Sequence, residues 1–566
     1  MKRRLLPILM TLVLVCALPI WAAFVTSGDV TNPLVCTAWA DTAEGERNSG
    51  TTQETFTEVT DETTLKKAVA DGKSVRMTQD ITLTSSLCIE KAVTLDMDGH
   101  VLTRMHTYEY DMVVIRSDAT LTLIDSNTGN LQHRFNAGET GWTKAADNAT
   151  GDGIVTVTGG VIYGDAGRSI INPCGIKILK GKLEMYGGSI VGIRNVYNAN
   201  GGGVYVSDQC TFNMYGGSIK GCYVFSDGGG VYVAAGGTFT MSGSSAITNC
   251  KGSRGGAVYN AGTFTMRDNS HIADCIYNSS IASGGGVHNK GTFTVEGGSI
   301  TGSVNDHNRE QSSDDICNEN KLDVSEGITI SCNVNVGYGG TISKGTFTGR
   351  VWIFWEGTIL GGTFTNEVIN YEGTIKAGEF TGEVTNTSGG TISGGTFDKN
   401  VANESGATIS GGTFNENVTN KTNATLNGGI FYGGVTNDGG KIEDGAYETV
   451  KFNSDNGAQA KEEKVLRGQK VAKPTDDPTK SGYTFIGWED ADGAYDFSKS
   501  VTAPLTLTAK WEKNPSSGGY YYYPTTDTKA DDTKGSPKTA DPGVALYAAL
   551  SILSLTGMVA LNGKKR

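Results

Sequence analysis

Chemistry needs titratable or ligating side chains brought together, and this chain offers few. Asp96, Asp98, Asp111 and Asp125 fall near Arg104 and Arg116. Clustered carboxylates hold Ca²⁺ or, as a facing pair, hydrolyse glycosides, and a basic residue beside them can take a proton. These acids recur at no fixed interval, and Asp125 in "TLTLIDSNTG" reads as a turn-closing residue, so a structural role is expected. No catalytic residue is assigned. The six histidines are scattered, with no cysteine or carboxylate at ligand spacing. The cysteines beyond Ala40 (Cys88, Cys174, Cys210, Cys222, Cys250, Cys275, Cys317 and Cys332) fit no zinc pattern. Neither a metal site nor a cofactor is expected.

Aromatic residues are better candidates, for binding rather than catalysis. Tyr205, Tyr232, Tyr259 and His288 each stand between residues expected to face inward. Alternation turns them outward, as a row about 4.8 Å apart on which sugars can stack. The competing role is cross-strand pairing that only stabilises a sheet. Trp352, Phe354 and Tyr371, with Ile369, are also expected outside, whereas the same columns later hold Thr385, Ala402 and Thr419, and Thr387, Glu404 and Lys421. An apolar patch confined to one end marks a contact. It either packs against the polar loop around 304–325 or receives a ligand.

Repeats must position these residues. Phe347, Phe364, Phe380, Phe397, Phe414 and Phe431 recur every 16 or 17 residues; Ile342 to Leu426 and Val351 to Val435 keep the same step. Asn370, Asn386, Asn403, Asn420 and Asn437 each follow the valine by two, on its face. One unit cannot bury its apolar side alone, but stacked units bury it as columns. An earlier, longer repeat sets Val204, Val231, Val258 and Val287 at steps of 27, 27 and 29, with phenylalanine and isoleucine columns following. In it Cys222, Cys250 and Cys275 share a column with Ile193 and Ser303, which favours a buried thiol stack. The helix expected within 60–74, capped by Thr60 or Asp61 and ended by Gly72, closes the first coil.

The Gly-Gly-Val and Thr-Phe-Thr-Met elements resemble the right-handed β-helix repeats of bacterial surface proteins that share the pectate-lyase-like fold. That resemblance spans 56–336 and implies a fold that also serves polysaccharide lyases and hydrolases. Residues 337–447 form the short-period solenoid. In 448–512, "GYTFIGW" (482–488) and the closing run from Leu505 to Trp511 resemble a Listeria–Bacteroides repeat, the B-repeat module of internalin-like surface proteins. The resemblance implies a small β-rich, β-grasp-like domain with Trp488 and Trp511 in its core.

Both ends read as address labels. Residues 1–40 have a basic start and an apolar run, the form of a secretory signal, with cleavage after Ala40 or near Ala23. After a flexible spacer (513–535), Ser536-Pro537-Lys538-Thr539-Ala540 precedes an apolar span, 544–561, and the basic tail Lys564-Lys565-Arg566. This order resembles the LPxTG sorting signal of Gram-positive surface proteins, with Ser536 for Leu and Ala540 for Gly. The resemblance implies that a sortase cuts between Thr539 and Ala540 and joins Thr539 to peptidoglycan. The membrane is then met only through that helix, before processing.

The net charge of −13 argues against nucleic acid and other polyanions as partners. The sequence therefore reads as an all-β, wall-anchored surface protein: a right-handed parallel β-helix, a short-period β-solenoid and a small B-repeat domain. An adhesin or display scaffold for glycan or a neighbouring cell surface is the expected role. A wall-bound polysaccharide lyase or hydrolase, or a structural stalk, are the alternatives.

Overall fold

The computed structural model describes residues 55–515, apart from 106–109, 128–130, 139–140, 165–173, 196–199, 279–282 and 306–314. The expected signal, most of the spacer, and the sorting signal with its apolar span lie outside the described residues. Among the described residues no helix is long and apolar enough to cross a membrane.

The coils are built from strands too short to stand alone. Val204–Val206 and Thr211–Met214 alternate buried and half-buried positions, so each buries one side only. Parallel pairing with the same segment of the next coil completes that side. The register sets like on like: Phe212, Phe239, Phe264 and Phe293 are successive partners, with ring centroids 4.7, 4.9 and 4.8 Å apart. The chain is a right-handed parallel β-helix, as expected. One continuous apolar core runs from Val59 to Ala446.

Two faces pass unbroken through the change in repeat length. A 17-stranded sheet runs from Thr57–Val59 to Lys441–Ile442, and a 15-stranded sheet from Leu87–Ile89 to Val435–Asp438. What changes is the third side. An 8-stranded sheet ends at Ser299–Thr301 and a 5-stranded one at Val304–Asn305; a 7-stranded sheet starts at Thr329–Ile330. The shorter coil replaces two strands by one.

Inside, the expected columns are present. Asn370 Nδ2 donates to Asn386 Oδ1 at 2.7 Å, and the ladder continues through Asn403, Asn420 and Asn437 at 2.9 Å per step. A second ladder, not anticipated, links Asn260, Asn289 and Asn318 at 2.7 Å. Cys222, Cys250 and Cys275 are fully buried thiols, and burial pushes the first two well above the usual thiol pKa.

The helix Glu62–Asp71 covers the first coil with Leu65, Ala68 and Val69. Asp61 caps it by accepting from Thr64 N, and Gly72 ends it at φ 79°. No repeat or periodicity signals the antiparallel insert Gln132–Asn136, Thr143–Lys144 and Ile154–Thr158. Its Phe135 and Trp142 form a separate apolar cluster with Val101, Val161, Tyr163 and Val191 of the 8-stranded side.

Beyond the last coil a mixed five-stranded sheet follows. Tyr447–Asn453 pairs antiparallel with Lys461–Leu466 and parallel with Leu505–Lys513. Trp488 is buried among Val450, Phe452, Val471 and Leu507. Trp511 is only partly buried at the edge of that core, 5.7 Å from Phe485.

Candidate functional site

The tyrosine row and Trp352 lie on one line. Down the outward side of the 15-stranded sheet the register runs Lys177, Tyr205, Tyr232, Tyr259, His288, Cys317, Asn335, Trp352, Ile369, Thr385. Tyr205, Tyr232, Tyr259 and His288 stack as expected, with centroids 5.1, 5.1 and 5.2 Å apart and planes within 12°.

Their exposure is not as expected. Tyr205 and Tyr232 are half-buried, whereas Tyr259 is 6% and His288 0% exposed. The glycine turn before each strand folds tightly against that strand: at Gly228 and Gly255 an added Cβ would meet the Val231 and Val258 carbonyl oxygens within 2.4 Å. The Arg254 guanidinium, held by Asp227 at 2.9 Å, then lies 5.1 Å over the Tyr259 ring. Burial pushes the Tyr259 hydroxyl up to about 12. Rings stacked at coil spacing also spend their faces on one another and present edges, so this row is a poor sugar platform.

The open aromatic surface lies further on, where short coils begin. Each short coil turns a corner before its Thr-Ile strand, and the corner backbone is left-handed. Gly339, Glu356, Glu372, Gly389, Gly406, Asn423 and Gly439 hold that place, with φ from 64° to 93°. The residue before it is Ser388 at φ 51° in a later coil, but Tyr338 at φ 50° and Trp355 at φ 38° in the first two. Hydrogen bonds from Gly340 N to Gly337 O and from Gly357 N to Phe354 O, both 2.8 Å, close these turns. A bulky residue at positive φ costs about 1–2 kcal/mol. The fold therefore tolerates strain where the later coils show that serine suffices.

Tyr338 is 52% exposed, and Trp355 and Tyr371 each 41%. Tyr338 and Trp355 lie 4.8 Å apart at 31°, Phe354 is 5.6 Å from Trp355, and Phe354 and Tyr371 are 6.0 Å apart at 50°. These rings splay, unlike the row above, and leave faces free. Trp352 is half-buried; Arg350, paired with Glu367 at 2.8 Å, covers its ring at 5.8 Å. Phe354 and Tyr371 thus join the corner, Trp352 flanks it, and Tyr338 and Trp355 are additions. Their signal was available, since both stand where Ser388, Ser405 and Thr422 stand in later repeats. The recurring Thr-Ile and Phe positions carry no trace of it.

The early acids act as ties between coils. Asp125 accepts from Gly99 N and Gly160 N, each at 2.7 Å, and burial raises its carboxyl above the ordinary range. Asp96 accepts from Asp98 N at 3.1 Å, Ser126 N at 2.9 Å and Arg76 Nε at 2.8 Å. Asp98 receives Ser126 Oγ at 3.1 Å, and Asp111 receives Cys174 N at 3.0 Å. Arg104 donates to Tyr110 O at 3.3 Å, and Arg116 is exposed. One constellation was missed: His288, Cys317 and Glu319 bring ligating atoms within 4.8 Å of one another. Residues 536–540 of the expected sorting signal lie outside the described residues.

Residues 449–510 match the family model of the Listeria-Bacteroides repeat domain. The chain thus carries a module of bacterial surface proteins. No curated protein and no solved structure matches it.

Proposed function

We propose that the protein is a wall-anchored adhesin or display scaffold of a Gram-positive bacterium, and that it holds glycan at the aromatic corner of Tyr338, Phe354, Trp355 and Tyr371. The observation that carries this reading is the strained, exposed placement of Tyr338 and Trp355, at turn positions that Ser388, Ser405 and Thr422 hold in later coils. Splayed aromatic faces stack on the C–H faces of sugar rings, and the exposed Glu356 and Glu372 beside them accept hydrogen bonds from sugar hydroxyls. The repeat domain supports display on a cell surface. In the proposed anchoring the Thr539–Ala540 amide bond breaks, and the Thr539 carbonyl is passed by a sortase to a peptidoglycan amine.

A glycan array probed with the purified protein tests the binding. Binding that is lost in Trp355→Ala and Tyr338→Ala, with Tyr232→Ala unaffected, is the expected result. An empty array, or binding unchanged by both corner substitutions, sinks the site. Reducing ends or unsaturated sugars released from array ligands would replace adhesion by a lyase or hydrolase activity. For the anchor, mass spectrometry of wall digests reads Thr539 joined to peptidoglycan; an intact 536–566 segment on mature protein would refute it.

A further inference from the structure

His288 and Cys317 are 29 residues apart in the sequence, but the coil register brings the imidazole against the thiol. His288 and Cys317 are direct partners on neighbouring parallel strands. Glu319 is two residues past Cys317, so alternation puts it on the same outward side. An imidazole nitrogen, Cys317 Sγ and a Glu319 carboxylate oxygen all lie within 4.8 Å of one another. We propose that His288, Cys317 and Glu319 bind one first-row transition-metal ion, with Zn²⁺ the best match to the donor set.

The donors decide the class of metal. Zn²⁺ takes imidazole nitrogen, thiolate sulfur and carboxylate oxygen at about 2.0–2.3 Å, which sets ligand atoms about 3.3–3.8 Å apart in a tetrahedron. Small side-chain rotations supply that contraction. A thiolate disfavours Ca²⁺ and Mg²⁺, which require oxygen.

The imidazole shows an unmet need. His288 is 0% exposed, and neither ring nitrogen makes a hydrogen bond among the described residues. Its Nε2 is 3.2 Å from Glu319 Oε1, within ion-pair range but off hydrogen-bond geometry. A buried polar group left in this way keeps an uncompensated desolvation cost, and a metal bond removes that cost.

The surroundings fit a ligated ion. Lys290 Nζ lies 2.8 Å from Glu319 Oε2, which orients the carboxylate and leaves Oε1 for the metal, the usual role of an outer partner. Arg254, the other nearby cation, is bound by both oxygens of Asp227. As the metal–sulfur bond forms, the Cys317 thiol gives its proton to solvent. The dication then meets two anionic ligands, so the buried site carries no net charge. A solvent molecule completes the fourth position.

The position gives the ion a task. The His288 coil is the last to carry strands of the 8-stranded and 5-stranded sheets, and the Cys317 coil is the first to carry the 7-stranded one. The ion staples the two kinds of coil together.

Co²⁺ titration of the full chain, reduced and freed of metal by chelation, tests this. One equivalent should bind with a thiolate-to-cobalt absorption in the near ultraviolet, displaced by Zn²⁺ and absent in Cys317→Ser. Glu319→Gln should weaken binding by about tenfold or more. Zinc-edge X-ray absorption on the unsubstituted chain needs no variant to fold, and should read one sulfur at about 2.3 Å. No near-ultraviolet band in the unsubstituted chain, an unchanged band in Cys317→Ser, or zinc without a sulfur neighbour each overturns the site.

Discussion

Asn403 shows what a single buried amide does here. Its Nδ2 donates to Asn420 Oδ1 and its Oδ1 accepts from Asn386 Nδ2, both at 2.9 Å. Replacement by alanine therefore leaves two neighbours short of a partner, at about 1–3 kcal/mol for a buried polar group left unmade. Because each coil touches only its neighbours, the loss stays local. Hydrogen exchange should speed up in the strands around 384–426 of Asn403→Ala while those around 204–241 keep their protection; uniform change would contradict the ladder. Glu62 at the cap is sensitive to pH. Burial would raise its carboxyl, but hydrogen bonds from Lys66 and Thr84 outweigh this and bring it from 4.5 to about 2. A pKa depressed on folding stabilises above the unfolded value and is lost as pH falls through the folded one. Cap stability is thus complete above about pH 4.5 and fades towards pH 2. Protection of the amides of residues 64–72, taken relative to their intrinsic exchange rates, should fall across that window, and Glu62→Gln should flatten the dependence.

At the scale of elements, the left-handed corners separate stability from binding. Glu356 at φ 66° stands where Gly389 and Gly406 stand later, so Glu356→Gly should stabilise by about 1 kcal/mol. Trp355→Gly, the residue type that adopts positive φ freely, releases strain of about 1–2 kcal/mol at φ 38° and forfeits ring contacts of about 0.5–1.5 kcal/mol. Its melting temperature should therefore barely move while glycan binding disappears; a large loss of stability would make Trp355 a structural residue. The same corners explain what was legible in the sequence. Phe, Ile, Val and Asn columns repeat because each fills the same place in every coil, so period alone exposes the core, the amide ladder and the thiol stack. Tyr338 and Trp355 are departures from the repeat, and a period finds what recurs. The burial of Tyr259 and His288 depends on turns such as Asp227–Gly230 folding tightly against the strand that follows, which alternation along a strand does not encode. The His288, Cys317 and Glu319 cluster joins residues of different coils, and reading it needs the coil-to-coil register across turns of unequal length.

At the scale of the molecule, a stack of coils has two open ends, each with unpaired backbone and bare core. The helix Glu62–Asp71 covers one. The repeat domain meets the other: Phe431 N donates to Arg467 O at 2.8 Å, and Leu466 and Tyr447 pack against the coil core. Gly468 makes this approach feasible, since at φ 93° an added Cβ would come within 2.7 Å of Phe431 N. The domain therefore closes the solenoid as well as marking a surface protein, and its removal should uncover Phe431 and the strand Ile430–Phe431 as a template for other chains. A chain ended after residue 447 is expected to form oligomers larger than those of the full protein by light scattering on a sizing column. Gly468→Val should reproduce part of the effect with the domain still present, by strain and by a wedge against Phe431. If the truncated chain keeps the association state and thermal stability of the full one, the domain is a passenger on the stack. If Gly468→Val alone is silent while truncation causes association, the cover acts through Leu466, and the close approach at Gly468 contributes nothing.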